Sequence, residues 1–400
     1  MHILMIAPEP FFEPRGTPFS EYHRIRALLE LGHTVDLVTY PLGQDVSMPG
    51  LRIFRCVRPP FITRVKIGPS YAKVPLDIAL AVTALRRALQ GRYDVVHSHE
   101  EGSAIGIMLA AMLGLPHLYD MHSSLPQQLS NFAFSRSRLL RRFFQILERS
   151  VIRRSRVVVV ICPHLQGIVR EIDPAARTVL IENAPGAGDG PIRGSGLSVR
   201  DQLRLHASTS IVLYTGTFEP YQGLDLFLAA ARQVRSQVPD ARFVLVGGHP
   251  DQIVKVRQQA RELTIEDRTI FMGERPAEEI PAFLDAADVL VSPRSTGTNT
   301  PLKIYQYLRA GRPIVATRLL THTQVLTDEV AILTDPTPEA FAAGIVRALR
   351  DVRLARQLGE KALALAESRY SYDVYLDRTR EACAALADAA PTQAVAGGVA

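Results

Sequence analysis

The chain has 400 residues, 47% of them apolar, which is enough for two or three packed domains at about 150 residues each. Its net charge of +6 is uneven: residues 1–200 hold 24 Lys and Arg against 16 Asp and Glu, or +8, leaving 22 against 24, or −2, for the rest. A basic chain invites a nucleic-acid reading, but there is no recognised binding motif and no strand-borne cluster of aromatics among Lys and Arg, so no nucleic acid is expected.

The opening MHILMIAPEP lacks a basic start and breaks at Pro8, so HILMIA reads as a buried first strand rather than a leader. Gly16, in RGTPF, precedes the helical FSEYHRIRALLEL, which closes at Gly32, and TVDLVTY follows as a strand. That order is β-α-β, hence a parallel sheet. LDIALAVTALRRALQ continues as a helix, YDVVHSH as a strand, IGIMLAAMLGL as a helix, and HLYDMHS and RVVVVIC as buried strands. His97 and His99 alternate onto one face at a strand end. No further ligand is placed for a metal there, and a structural role is the plainer reading.

RLLRRFFQILERSVI, residues 138–152, puts Leu140, Phe143, Phe144, Leu147 and Val151 on one stripe and Arg138, Arg141, Arg142 and Arg149 elsewhere. Basic amphipathic helices of this kind lie on anionic bilayers, although a solvated basic face over a packed stripe has the same pattern. Arg58, Arg64, Lys66 and Lys73, in the loop-like stretch 57–75, add positive charge. No apolar run reaches the ~18 residues of a membrane span. Cys56, Cys162 and Cys383 show no CxxC spacing, so neither a disulfide framework nor a zinc site is expected, and a reducing, cytoplasmic compartment fits.

Residues 1–185 thus form one doubly wound domain, and the Gly- and Pro-rich 186–196 a linker. Residues 197–369 form a second such domain, with strands SIVLYT, RFVLVG, TIFMG, DVLVS and PIVAT. A last helix over 370–388 is expected to pack back on the first domain, and 389–400 to fray. Two such α/β domains are expected to face each other across a cleft that holds a nucleotide at the strand ends. Neither GxGxxG nor GxxxxGK[ST] is present, which speaks against nicotinamide and P-loop chemistry.

Within Ser292–Thr317 a strand, a polar turn, a helix and a second strand follow in quick succession. Thr300 reads as the N-cap, Pro301 as the first helical residue and Gly311 as the stop. Lys303 then falls in the first turn, where the helix dipole disfavours a cation by roughly 0.3–1 kcal/mol. With Arg294 on the approach, a bound phosphate would satisfy helix end and side chains together; a neighbouring carboxylate would serve equally.

In order, Gly16 onward, LLELGHTVDLVT, YDVVHSH, MHSS, YTGTFEPYQGLDLFL, FVLVGG, ADVLVSP and YLRAGRPIVAT make the chain resemble the retaining glycosyltransferases of family 4, of GT-B fold. The resemblance implies a nucleotide sugar held mainly by the second domain, an acceptor on the first, retention at the anomeric carbon, and no cofactor or required metal. It places His122 against the donor sugar as the catalytic residue, oriented by Asp120, and Gly16 in a loop that approaches the diphosphate. Arg15 compensates for a missing second glycine there, and Arg15, His99 and Glu100 are candidates for acceptor contact. The family's GRxxxxKG pattern is altered: Gly216 is followed by Thr217, and Gln222 stands in place of the lysine before Gly223. The family's paired glutamates, spaced E-x7-E, are Thr298 and Gln306. Either Arg294 and Lys303 rebuild the donor site, with Gln306 on the ribose and Thr298, Asn299 and Thr300 on sugar or phosphate, or the chain is a silent subunit that binds a nucleotide sugar or a partner enzyme. A glycan or lipid-linked acceptor, at the inner face of a membrane, is the further expectation.

Overall fold

The computed structural model describes residues 1–12, 16–60, 62, 65, 70–71, 73–127, 137–182 and 196–387. Two compact units divide the chain: Met1–Glu182 with Tyr375–Ala400, and Asn183–Val374.

The first unit is built on seven parallel strands in the order β3-β2-β1-β4-β5-β6-β7. They are β1 (His2–Ala7), β2 (Thr34–Thr39), β3 (Leu51–Arg55), β4 (Val95–His99), β5 (His117–Met121), β6 (Val157–Val160) and β7 (Thr178–Leu180). Helices α1 (Gly16–Glu30), α2 (Lys73–Gln90), α3 (Ser103–Leu113), α4 (Arg138–Arg154) and α5 (Pro163–Ile172) connect them. Every residue of β4, β5 and β6 is buried, because a parallel sheet covered on both faces needs apolar side chains on both. β6, VVVV, reads as an unbroken apolar run, whereas β4 and β5 end in the buried polar residues of the site. The edge strand β3 is only half-buried, and β7 has three residues, so neither carries a run long enough to stand out.

The second unit repeats the scheme with β10-β9-β8-β11-β12-β13, again all parallel. Its strands are β8 (Ile211–Thr215), β9 (Arg242–Val246), β10 (Thr269–Gly273), β11 (Val289–Ser292), β12 (Ile314–Thr317) and β13 (Ile332–Thr334). Its helices are α6 (Gly196–Gln202), α7 (Leu224–Gln237), α8 (Pro250–Glu262), α9 (Ile280–Ala286), α10 (Leu302–Ala310), α11 (Leu320–Thr323), α12 (Pro338–Arg350) and α13 (Val352–Arg369). Phe227, Phe243 and Phe341 fill one side of the sheet with no exposed surface, each stabilising by about 1.5–3 kcal/mol.

The last helix, α14 (Tyr372–Ala387), belongs to the first unit from Tyr375 onward, and Thr379 on it accepts a hydrogen bond from Arg24 of α1 (3.1 Å). The stretches 186–195 and 389–400 lie outside the described residues, as do Arg15, Arg64 and Lys66. Gly16 is the first residue of α1.

Two sequence expectations change. Helix α10 starts at Leu302, with Pro301 at the cap position in extended backbone (ψ 136°) and no side-chain cap, so Thr300 is not the N-cap; Gly311 does end the helix, in left-handed conformation. In α4, Leu140, Phe144, Leu147 and Val151 turn inward, but Phe143 points out.

Both sheets reverse strand order once, between β1 and β4 and between β8 and β11. Connections leave such a point in opposite directions, which opens a crevice beyond the carboxyl ends of the strands. The candidate residues stand there in each unit.

Candidate functional site

In the second unit the carboxyl end of β8 turns through Gly216, whose φ of 132° is closed to other residues; a Cβ there would lie 3.4 Å from Lys303 Nζ. Lys303, on the first turn of α10, donates to the Thr215 carbonyl (3.0 Å) and sits 3.8 Å from the centre of the Tyr214 ring. Burial, and then the nearby Arg294 charge, hold its ammonium well below the usual lysine range. Arg294 donates through Nη1 to the Asn299 carbonyl (3.1 Å) and to Thr321 Oγ1 (3.0 Å), and burial lowers it too. No carboxylate among the described residues pairs with either cation, so the proposed neutralising side chain is not found there. Arg294 Nε, Thr300 Oγ1 and Gln222 Oε1 are buried without hydrogen-bond partners among the described residues. Unpaired buried polar atoms clustered around two unpaired cations make a site shaped for an anion.

The turn before α10 is fixed from behind by α11. Thr321 Oγ1 also donates to the Asn299 carbonyl (2.6 Å), and Gln324 Nε2 to the Thr298 carbonyl (2.6 Å). His322, pushed down to about 3 by burial, is neutral. Its Nδ1 donates to the Thr317 carbonyl (2.8 Å), which leaves Nε2 to accept from Ser292 Oγ (2.8 Å). Gln306 is half-buried on α10, and Thr217 Oγ1 accepts from Gln222 Nε2 (3.4 Å). Gly223 has φ 71°, and a Cβ on it would lie 2.0 Å from the Pro293 carbonyl oxygen. Gly223→Ala is therefore expected to lower stability by about 2–5 kcal/mol, from left-handed strain of ~1–2 and overpacking of ~1–3. Urea midpoints at unchanged m-value measure it, and a loss below about 1 kcal/mol would show that the Pro293–Ser295 turn simply moves aside.

In the first unit the ends of β4 and β5 bring His97, His99, Asp120 and His122 together. Asp120 Oδ2 accepts from Arg24 Nε (2.9 Å) and lies 3.5 Å from His97 Nε2; Oδ1 lies 3.3 Å from His122 Nε2. Burial works against the Asp120 charge, but Arg24 and then His122 outweigh it and hold the carboxyl well below its usual range. Against its own burial, Asp120 keeps the His122 imidazolium favoured, whereas burial wins at His97 and His99 and keeps both neutral. His99 Nδ1 meets His122 Nε2 at 3.3 Å, and the His97 and His99 rings stack at 4.7 Å. Glu21, also without exposed surface, stands 3.8 Å behind His99, its carboxyl pushed well up by burial and by Glu9.

His99 exposes none of its surface and belongs to this network, while Glu100, 8% exposed, stands beside it at the end of β4. Sequence reasoning placed no third metal ligand near the histidine pair. Atoms of His97, His99 and Asp120 in fact all lie within 4.8 Å of one another. Arg24 on the same carboxylate oxygen puts positive charge where an ion would sit, so the group fits a cation poorly. Arg24 itself was missed: it falls on the buried stripe of α1 with Ser20, Ile25 and Leu28, and a charge on an apolar stripe was the available signal.

Glu100 adopts φ 45°, unusual outside glycine, and its Oε2 accepts from Ser123 Oγ (2.8 Å). Burial pushes its carboxyl up to about 8. Folded, it keeps a proton that the unfolded chain releases from pH 4.5 upward, so its contribution to stability falls as pH rises through that window. Glu100→Gln is expected to stabilise above pH 8 by up to roughly 4 kcal/mol, and to change little near pH 4. Thermal melts across pH test this; a difference independent of pH would refute it.

The two doubly wound sheets with their switch-point sites define the GT-B class of glycosyltransferase. Residues 22–184 match the family described as "Glycosyl transferase 4-like domain", and residues 209–351 that described as "Glycosyl transferases group 1". Across 84% of this chain and 82% of its own length, the D-inositol 3-phosphate glycosyltransferase of Corynebacterium diphtheriae is 26% identical. Among solved structures, the sucrose-phosphate synthase of Thermosynechococcus elongatus superposes with a TM-score of 0.81 over 97% of this chain and all of that one, at 20% identity. Anabaena HepE in complex with UDP-glucose gives 0.73 over 96% and 99%, at 19% identity. The chain belongs to the family 4 glycosyltransferases.

Proposed function

We propose that the chain transfers a sugar from a nucleoside diphosphate sugar to a hydroxyl acceptor, with retention at the anomeric carbon and no required metal. The observation that carries this reading is the pair of cations, buried Lys303 and half-buried Arg294, without a carboxylate partner among the described residues at the switch point of the second sheet. Breaking the sugar–phosphate bond loads negative charge onto the leaving diphosphate, and fixed donors in a dry site stabilise that charge. Lys303, Arg294, Gly216, Thr217, Gln222 and Thr300 are the proposed hosts of the diphosphate, Thr298 and Asn299 of the sugar, and Gln306 of the ribose. His122, held by Asp120, is the proposed catalytic residue; it positions by hydrogen bonding, while the leaving phosphate oxygen takes the acceptor proton. The UDP-glucose held by HepE supports a nucleotide sugar as donor.

The acceptor in this reading is a glycan or lipid-linked precursor, met at the inner face of the cell membrane by the basic first half of the chain, with Arg15, His99 and Glu100 toward the acceptor and Gly16 toward the donor. Incubation with nucleoside diphosphate sugars should release nucleoside diphosphate slowly, unaffected by a chelator, and NMR of the product should show the donor's anomeric configuration. Thr298 and Gln306, where carboxylates are usual in the family, favour a second reading, a silent subunit. Tight donor binding without release under any acceptor mixture would establish that one instead.

A further inference from the structure

We propose that the outer face of α2, α3 and α4 docks on an anionic lipid bilayer. This deepens the membrane part of the reading above and is independent of the donor pocket. The three helices lie side by side over one face of the first sheet, α3 packed against both α2 and α4. Helix α2 turns Leu76, Leu80, Ala84 and Ala88 inward. A helix covering a core normally carries polar residues on its other side. Helix α2 instead exposes Val74, Ile78, Val82, Leu85 and Leu89, one ridge about 22 Å long at 1.5 Å per residue. Next to it α3 exposes Met108 (70%) and Met112, and α4 exposes Leu139 (81%), Phe143 and Ile146. Ten of the sixteen exposed large hydrophobics among the described residues therefore stand on three adjoining helices, a concentration that marks an interaction surface.

Charge selects the occupant. Every exposed charged side chain of these helices is an arginine: Arg86 on α2 and six on α4, including Arg141, Arg142 and Arg149. Their carboxylates turn away, Glu148 accepting from the Leu125 N–H (2.8 Å) and Asp77 from the Tyr40 hydroxyl. A second copy of this face would bring arginine against arginine. A bilayer with anionic headgroups pairs with the arginines while the apolar ridge enters the acyl boundary, as an interfacial helix does. Lys73, counted toward a basic membrane face from the sequence, is instead paired with Glu101 (2.6 Å). No described helix is long and apolar enough to span.

Vesicle flotation of the full chain tests the proposal. It should rise with equimolar phosphatidylcholine–phosphatidylglycerol vesicles and stay down with phosphatidylcholine alone. Removing positive charge in Arg141→Gln, Arg142→Gln and Arg149→Gln should weaken binding about fivefold each, and added salt should act the same way. Removing apolar contact in Ile78→Ser with Leu85→Ser should weaken it by about tenfold or more per site. Thermal melts confirm folding of these exposed variants. The proposal is overturned if wild type ignores anionic vesicles, if the variants float like wild type, or if sedimentation shows a dimer that the serine substitutions dissolve. Nucleotide release in vesicle-free solution reads the catalytic proposal separately, so either can fail alone.

Discussion

Lys303→Met is expected to weaken donor binding and turnover while leaving the fold at least as stable. The methionine puts an apolar thioether where the ammonium nitrogen lies 3.8 Å from the centre of the Tyr214 ring in the wild type. It loses a charge-assisted hydrogen bond to the diphosphate, worth about 1.5–3 kcal/mol in binding, or roughly 10- to 150-fold in affinity. Turnover should fall further, by about 10²–10³, because the donor acts most strongly where charge develops. Stability moves the other way. The Lys303 ammonium is held well below its usual 10.5, so the unfolded chain binds the extra proton and wild-type stability rises with pH toward 10.5. Lys303→Met should lack that slope and be the more stable protein near neutral pH. Calorimetry of unfolding and of UDP binding reads both effects; a variant that binds UDP like wild type would remove Lys303 from the site.

Asp120→Ala should be the most destabilising substitution in the first unit, by about 3–5 kcal/mol, because Arg24 would be left as an uncompensated buried charge. The double variant Arg24→Met with Asp120→Leu removes both charges and should recover most of that loss. Turnover should not recover, since His122 would lack the carboxylate 3.3 Å from its Nε2. If the double variant regains activity along with stability, Asp120 serves folding alone. The depressed Asp120 also sets the acid side of the profile: stability that it contributes is present above its unfolded value of 3.8 and is lost as pH falls through the lower folded value.

The sequence disclosed the architecture because buried parallel strands announce themselves. RVVVVIC and YDVVHSH needed only their apolar runs and the βα alternation around them. β3, β7 and β13 carry too little apolar sequence to register, and they lie at the sheet edges. The turn before α10 stood out for a different reason. Lys303 broke the charge rule for a helix start, and a local violation without visible compensation pointed at a site. The start of α10 was misread by one residue because Pro301 suits either position, and only backbone geometry separates them. The network around Asp120 was half visible. His97 and His99 declared a shared face, but Arg24 and Glu21 reach it from α1, and no spacing along the chain reports a contact between residues 96 positions apart. The apolar outer face of α2 was hidden by its own composition, since a helix apolar on both sides reads as deeply buried.

The most direct measurement is calorimetric titration of UDP into wild type and Lys303→Met, in two buffers of contrasting ionisation enthalpy at one neutral pH. A diphosphate that settles on a lysine held below its usual range favours the charged form, so wild type should take up more proton from the buffer on binding than the variant does. Equal proton uptake by both proteins, or equal affinity without any uptake, would contradict the account of Lys303 as host to the diphosphate.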